Sequence, residues 1–251
     1  MKIEKKRKLI TLTRKVAGRG LCKYDSIYTS ISYLTGSLIA FSRKEMKLTF
    51  QSYLNRPNIK EEYEGAFVFP PEKGVYRGGI GTIDDIRQTI LAGAEKVSLN
   101  SQAVKNPGLI TEGARVFGNQ SIVLGMDVRR DPTKPSGYGT TINGGRVDTG
   151  LDALEWAKRG VELGAGEIVL NSMDADGTKN GYDIELTKLI SENVPVPVIA
   201  SGGGGTPAHL ADALTTGKAD AALVASMVHN GTYTVGQIKD ELNAMGVPMR
   251  M

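Results

Sequence analysis

The sequence has few of the residues that form disulfides or bind metals. Cys22 is its only cysteine, which excludes an intramolecular disulfide and any metal site that needs several cysteines. The two histidines, His209 and His229, have no second histidine at ligand spacing, so we expect both to be structural or solvated. We therefore predict that the protein binds no metal ion and uses no cofactor.

Long apolar runs are also absent. No stretch reaches the roughly 18 residues that a membrane-spanning helix needs, and a hydrophobic content of 40% is ordinary for a globular protein. Together with the scarcity of cysteine, this predicts a cytoplasmic protein that does not associate with membranes.

Positive charge is concentrated in the first third of the chain. Residues 1–77 carry 16 Lys and Arg against 7 Asp and Glu. A basic segment with aromatic residues is one way to bind nucleic acid, but the aromatic residues here follow no recognised spacing. We therefore favour a solvated surface and expect no nucleic-acid partner.

Glycine, by contrast, is abundant, and one glycine run organises the prediction. A short apolar stretch, residues 197–200, leads into Ser201 and four consecutive glycines, after which come Thr206 and Pro207. Consecutive glycines let backbone N–H groups approach an anion, while threonine and proline suit the cap and the first position of a helix. The pattern predicts a phosphate-binding loop between a buried strand and a helix, in which a side chain on Gly203 would block the anion. The alternative is a flexible turn.

A similar pattern lies about 125 residues upstream. Residues 77–82 again contain a glycine loop before a helix start, and residues 94–101 resemble residues 219–226. Two similar halves and alternating strands and helices predict an α/β fold, a (βα)8 TIM barrel in which residues 1–251 form a single domain. Two phosphate loops facing one mouth imply a substrate with a phosphate at each end.

The candidate catalytic residue is Asp127, which ends the apolar strand predicted over residues 121–127. Barrel enzymes keep their chemistry at this end of the strands. Residues 131–145, rich in Gly and Pro, predict a hairpin over the mouth, and a helix is predicted to begin at Thr149. The strand predicted over residues 166–172 leads into a polar loop that contains Asp176.

With these features together, residues 78–251 closely resemble the cyclase subunit of imidazole glycerol phosphate synthase, a family of histidine biosynthesis. The run GTKNGYD at residues 177–183 separates this family from its sister ribotide isomerase, a more distant alternative. The resemblance implies a lyase that converts a bis-phosphorylated aminoimidazole carboxamide ribotide and ammonia to imidazole glycerol phosphate and aminoimidazole carboxamide ribotide. It also implies a heterodimer with a glutaminase subunit, whose ammonia enters at the bottom of the barrel.

The resemblance also implies roles for individual residues. Asp127 matches one of two catalytic aspartates and would donate or accept a proton during ring closure. One phosphate site corresponds to Gly79, Asn100 and Ser101. The other phosphate site corresponds to Gly177, Gly202, Gly203, Ala225 and Ser226. The pocket-lining positions are Ser172 and Asp176, and the ammonia entrance corresponds to Lys96 and Glu167.

Residues 1–77 depart from the family pattern. The family's first strand ends in Leu-Asp-Val and carries the second catalytic aspartate, whereas the equivalent stretch here places Thr13 or Arg14 at that position. Arg77 replaces the first glycine of the upstream loop. A frame-shifted or substituted segment would explain this departure. The alternative hypothesis is therefore a catalytically impaired barrel that still binds phosphorylated ligands.

Overall fold

The computed structural model describes residues 80–91 and 94–249, together with two short strands upstream. These strands, β1 (Ile31–Ser32) and β2 (Leu38–Ile39), pair antiparallel. The sequence predictions that concern Thr13, Arg14 and Gly79 lie outside the described residues.

Seven strands of the described chain form one sheet. They are β3 (Val97–Leu99), β4 (Ile122–Arg130), β5 (Tyr138–Ile142), β6 (Val147–Asp152), β7 (Glu167–Ser172), β8 (Val198–Ser201) and β9 (Ala221–Ala222). Strands β3, β4, β7, β8 and β9 run parallel in that spatial order. The hairpin β5–β6 pairs antiparallel with the second half of β4, as the Gly and Pro content of residues 131–145 predicted.

Helices separate the parallel strands along the chain. They are α1 (Ile83–Leu91), α2 (Ser101–Lys105), α3 (Gly108–Phe117), α4 (Ala153–Glu162), α5 (Ile184–Ser191), α6 (Pro207–Thr215), α7 (Ser226–His229) and α8 (Val235–Ala244). Parallel strands linked by helices are the pattern of a (βα)8 barrel, which confirms the predicted α/β class. The internal repeat is visible as well, because α1 followed by β3 corresponds to α6 followed by β9.

Local capping explains where several helices begin. The hydroxyl of Thr206 accepts a hydrogen bond from the N–H of His209 at 3.4 Å, and Pro207 is the first residue of α6. The hydroxyl of Thr82 likewise accepts from the N–H of Asp85 at 3.1 Å, before α1. Both predicted helix starts are confirmed.

The predicted start of α4 was wrong. The helix begins at Ala153, after Asp152 caps it by accepting hydrogen bonds from the N–H groups of Leu154 and Glu155. Thr149 belongs to β6, where its hydroxyl donates to the carbonyl of Thr140 at 2.8 Å across the hairpin. A threonine hydroxyl can cap a helix or form a hydrogen bond across a hairpin. Here the partner on the neighbouring strand determined the structure. The last strand, β9, comprises only Ala221 and Ala222.

The two faces of the parallel sheet bury different clusters. On one face, strand residues such as Leu124, Met126 and Ile168 pack with the helices in a large core that includes Trp156. On the other face, a smaller cluster contains Val123, Val169, Ile199 and Ala221. Among the described helices, none is long and apolar enough to cross a membrane.

Candidate active site

The face of the sheet that carries the smaller apolar cluster also carries the polar residues of interest. Because side chains alternate along a strand, Asp127 lies on the same face as Val123, and Asn171 on the same face as Val169. Strand register pairs Asp127 with Asn171, and Asn171 with Ser201. These three residues therefore form one row at the carboxyl ends of adjacent strands.

A hydrogen-bonded chain connects this row. The amide nitrogen of Asn171 donates to Oδ1 of Asp127 at 3.2 Å, and the hydroxyl of Ser201 donates to Oδ1 of Asn171 at 3.1 Å. Asp127 is only 4% exposed, and its two neighbours in the row are buried as well. The amide orientation of Asn171 is thus fixed from both sides, which holds the carboxylate in place at the end of the sheet where barrel chemistry occurs.

Asn171 and Ser201 were not among the residues predicted for the catalytic row. Each is a polar residue after an apolar stretch, as Asp127 is, and that shared position was the available signal. Their contact depends on the strand register, which relates residues 30 and 44 positions apart. The predicted end of the strand at Asp127 was wrong, because β4 continues to Arg130 in its pairing with the hairpin.

The glycine loop, residues 201–205, packs tightly against the loop that follows β7. Gly202 and Gly203 have φ values of +89° and +99°, a region that L side chains rarely adopt. The N–H of Gly181 donates to the carbonyl of Gly203 at 2.9 Å, and a Cβ on Gly203 would overlap the carbonyl oxygen of Gly181. The first obstacle to a side chain at Gly203 is therefore protein backbone, and not the bound anion predicted from the sequence.

The remaining glycines of this loop have close neighbours too. A Cβ on Gly204 would lie 2.5 Å from the hydroxyl oxygen of Tyr182, and one on Gly205 would lie 2.5 Å from the carbonyl oxygen of Lys179. The N–H of Gly205 donates to Nδ1 of His209 at 3.3 Å, which agrees with a structural role for this histidine. Four consecutive glycines are thus explained by close packing between two loops.

Residues predicted for the other phosphate site lie at the end of β3. Asn100 precedes α2, and Ser101 is its first residue. The hydroxyl of Ser101 accepts a hydrogen bond from the N–H of Asn143 at 3.0 Å, so the turn of the β5–β6 hairpin reaches the end of β3. The same turn meets the end of β7, because a Cβ on Gly145 would lie 2.5 Å from Cε of Met173. The hairpin therefore lies over the carboxyl end of the sheet.

Of the two residues predicted to line the pocket, Ser172 lies at the end of β7 and Asp176 lies in the turn that follows. Ser172 follows Asn171 and so points to the opposite face of the strand, where its hydroxyl accepts from the N–H of Ala175 at 3.4 Å. Asp176 lies in the turn itself, and its N–H donates to the carbonyl of Ser172 at 2.9 Å. Asp176 is exposed, but partial desolvation of its carboxyl raises its pKa, and a hydrogen bond from the N–H of Gly177 opposes this change.

At the amino end of the sheet, Lys96 and Glu167 form an ion pair. The distance between Nζ of Lys96 and Oε1 of Glu167 is 2.8 Å, and their side chains are 27% and 11% exposed. Glu167 is the first residue of β7, and Lys96 directly precedes β3. The predicted location opposite the phosphate loops is confirmed, while the ammonia-entrance role stays a prediction.

Metal ligation has little support in the described ranges. Within residues 80–91 and 94–249, no three His, Cys, Asp or Glu side chains are grouped so as to hold a metal ion. The Nε2 atom of His229 is buried without a hydrogen-bond partner, and burial lowers the pKa of this histidine. His229 is therefore a half-buried packing group.

Known proteins match most of the described chain. A family model for a histidine biosynthesis protein matches residues 74–234. The imidazole glycerol phosphate synthase subunit HisF of Desulfatibacillum aliphaticivorans is 63% identical over 176 residues, which cover 69% of this chain and 68% of that protein. The corresponding subunit of Oleidesulfovibrio alaskensis is 59% identical over 197 residues, 77% of this chain and 75% of that protein. The subunit of Prochlorococcus marinus is 53% identical over 173 residues, with coverages of 69% and 68%.

The parallel sheet, with a buried aspartate and glycine loops at its carboxyl end, defines a barrel enzyme of histidine biosynthesis. The chain belongs to the HisF family, the cyclase subunits of imidazole glycerol phosphate synthase. The resemblance stated from the sequence is thereby confirmed.

Proposed function

We propose that this chain catalyses the cyclase reaction of its family. It would use ammonia to convert a bis-phosphorylated aminoimidazole carboxamide ribotide to imidazole glycerol phosphate and aminoimidazole carboxamide ribotide. The observation that carries the proposal is the buried row of Asp127, Asn171 and Ser201 at the carboxyl end of the sheet.

Asp127 is the proton donor or acceptor in this proposal. A general acid or base needs a fixed position next to the reacting atoms and a protonation state that its surroundings control. The hydrogen bond from Asn171 fixes the carboxylate, and its burial excludes bulk water from that side. Both conditions favour proton transfer to or from a ring-closing intermediate at this position.

The strand order supports a substrate with two phosphates. Asn100 and Ser101 follow β3, while the glycine loop and Ala225 and Ser226 follow β8 and β9. Strands β4 and β7 lie between these two groups, and they carry Asp127 and Asn171. A ligand anchored by a phosphate at each side would therefore extend across the catalytic row.

The partner in the proposal is a glutaminase subunit that docks at the amino end of the sheet. Partial burial of a charged pair has a desolvation cost, and the Lys96–Glu167 pair marks the position at which ammonia would enter from that side. We also propose that residues 1–251 form one cytoplasmic barrel domain.

Turnover with ammonium salts as nitrogen donor tests the catalytic proposal directly. The loss of substrate absorbance should depend on ammonium and should disappear in the Asp127→Asn variant. Absence of turnover in the parent chain, with intact phosphate binding, would instead support the second candidate.

That second candidate is a phosphate-binding barrel without catalysis. It is favoured by one observation in the sequence, since Thr13 or Arg14 stands where the family has an aspartate. A chimera in which residues 1–77 are replaced by the equivalent segment of the Oleidesulfovibrio alaskensis subunit separates the candidates. Turnover in the chimera but not in the parent would identify an impaired enzyme, whereas equal turnover would reject the impairment.

A further inference from the structure

The proposed phosphate site at β8 and β9 is assembled from three separate loops. Gly177 comes from the loop after β7, Gly202 and Gly203 from the loop after β8, and Ala225 and Ser226 from the segment after β9. The strand ladders end before these residues, with the last pairs at Asn171 and Ser201 and at Ala200 and Ala222. Contacts beyond the sheet must therefore set the distances between the three loops.

Tyr182 connects the three loops. It belongs to the loop after β7. A Cβ added to Gly204, in the loop after β8, would lie 2.5 Å from the hydroxyl oxygen of Tyr182. The same hydroxyl donates a hydrogen bond to the carbonyl of Leu223, directly after β9, at 2.7 Å. The neighbouring Gly181 adds a backbone hydrogen bond to Gly203 at 2.9 Å.

The ring of Tyr182 is anchored in the protein interior. The residue is 6% exposed and belongs to a buried cluster with Ala200, Leu210, Val224 and Met227. Burial raises the pKa of Tyr182, so its hydroxyl remains a hydrogen-bond donor at neutral pH. A buried aromatic ring with one satisfied hydroxyl is a rigid spacer, because it has few rotamers and a fixed donor direction.

We infer that Tyr182 is a positioning residue that sets the spacing of the three loops and thereby the affinity for one phosphate of the substrate. It does not touch the reacting atoms in this assignment. The inference rests on the proposed function, and it adds a specific residue to the second phosphate site.

The experiment compares Tyr182→Phe, Gly204→Ala and their combination in the full-length chain. Calorimetry with inorganic phosphate measures the site directly, and steady-state kinetics separate KM from kcat. Tyr182→Phe should weaken phosphate binding about three- to tenfold, the effect of one lost net hydrogen bond. It should raise KM by the same factor and leave kcat unchanged.

The combination tests the spacing itself. Gly204→Ala should weaken phosphate binding in the parent, because its methyl group meets the hydroxyl of Tyr182. In the Tyr182→Phe background the nearest atom is removed, so the added methyl should have a smaller effect on phosphate affinity and on thermal unfolding. Effects that simply add would overturn the assignment of Tyr182 as a spacer.

Tyr138→Phe is the matched control. Tyr138 is also 6% exposed, but its ring packs in the large core and its hydroxyl lies 3.5 Å from Oδ1 of Asp183, the residue that caps α5. Phosphate affinity should not change in this variant. If the unmodified protein binds no phosphate, the proposed function is refuted. If it binds phosphate no more tightly than the Tyr182→Phe variant does, this inference alone is refuted.

Discussion

The two ends of the sheet's inner face both carry buried polar groups, but the groups are connected differently. At the amino end, Lys96 and Glu167 form a direct ion pair of opposite charges at 2.8 Å. At the carboxyl end, Asp127 is held through the neutral amide of Asn171, which is held in turn by Ser201. The apolar cluster around Val169 and Ile199 lies between these two ends.

This difference indicates a division of tasks. An ion pair compensates both charges within the protein, so removing one partner mainly affects stability or access at that end. The amide of Asn171 instead holds the Asp127 carboxylate in one orientation, and a fixed orientation is what proton transfer during a reaction requires. Variants at the two ends should therefore separate activity from stability.

The largest expected effect is the loss of activity in Asp127→Asn. The amide cannot exchange a proton at neutral pH, so ammonium-dependent turnover should fall about 100- to 10,000-fold. The fold should persist, because the new side chain can still accept the hydrogen bond from Asn171 through its amide oxygen. Steady-state turnover and thermal unfolding measure the two effects.

Asp174→Asn is the control for this prediction. Asp174 is an exposed carboxylate at the same end of the sheet, where it pairs with Arg129 at 3.8 Å. Its replacement should leave turnover nearly unchanged. Equal losses in both variants would mean that the general charge at this end matters, and not the position of Asp127.

The second prediction concerns the close packing of the glycine loop. Gly203→Ala should lower the free energy of unfolding by about 3 kcal/mol or more, because it adds both an unfavourable φ and an overlap with the carbonyl oxygen of Gly181. Gly177→Ala is the matched variant, since Gly177 has φ +78° but no neighbour within 4 Å of an added Cβ. It should cost only about 1–2 kcal/mol. Similar values from urea unfolding would show that packing contributes nothing.

The third prediction tests the amino end. Glu167→Gln should lower the free energy of unfolding by about 1–3 kcal/mol, because Lys96 loses a charged partner in a largely buried position. Phosphate affinity and ammonium-dependent turnover should stay close to those of the parent. Glutamine-dependent turnover with a glutaminase partner should decrease if this end is the ammonia entrance. A large loss of phosphate affinity would contradict the division between the two ends.

The smallest expected effect is a gain in stability, whereas the two preceding predictions are losses of stability. Partial desolvation raises the pKa of Asp176, so ionisation carries a penalty in the folded protein above the folded pKa and none at pH values where both states are protonated. Because Asp176 is exposed, solvent screens most of this penalty, and Asp176→Asn should raise the unfolding midpoint at pH 7 by at most about 1 °C. The gain should vanish below about pH 4.

Asp152→Asn should change stability in the other direction. Burial alone would raise the pKa of Asp152, but hydrogen bonds from Ser136 and from the first turn of α4 outweigh it and lower the pKa. The ionised carboxylate therefore stabilises the folded state at pH 7, and that contribution is lost as the pH falls through the folded pKa. Unfolding midpoints of both variants across pH 3 to 7 would check the signs, with about pH 4 as the expected point of change.

Local signals in the sequence predicted much of the fold. The start of α6 followed from Thr206 and Pro207, whose interactions lie within a few residues. Thr149 misled the prediction of α4, because its partner Thr140 lies across a hairpin. A capping residue is recognisable from sequence only when no more distant partner competes for its hydroxyl.

The site was predictable in part for the same reason. Asp127 stood out because it ends an apolar strand, and the glycine loop stood out by composition. The contacts of Asn171 with Asp127 and Ser201, and the packing of Gly203 on Gly181, depend on strand register and loop geometry. Neither is encoded in a short motif.

The backbone of Asp127 lies where two strand ladders overlap. On one side Asp127 pairs with Asn171 of β7, and on the other side it pairs with Thr141 of the hairpin, whose hydroxyl also donates to the carbonyl of Asp127 at 3.1 Å. Strand β4 changes its neighbour on that side from β3 to β5 just before this residue. The carboxylate is therefore preorganised: its conformational entropy is lost when the protein folds and not when the substrate binds, and its amide should be among the slowest of the sheet to exchange with deuterium.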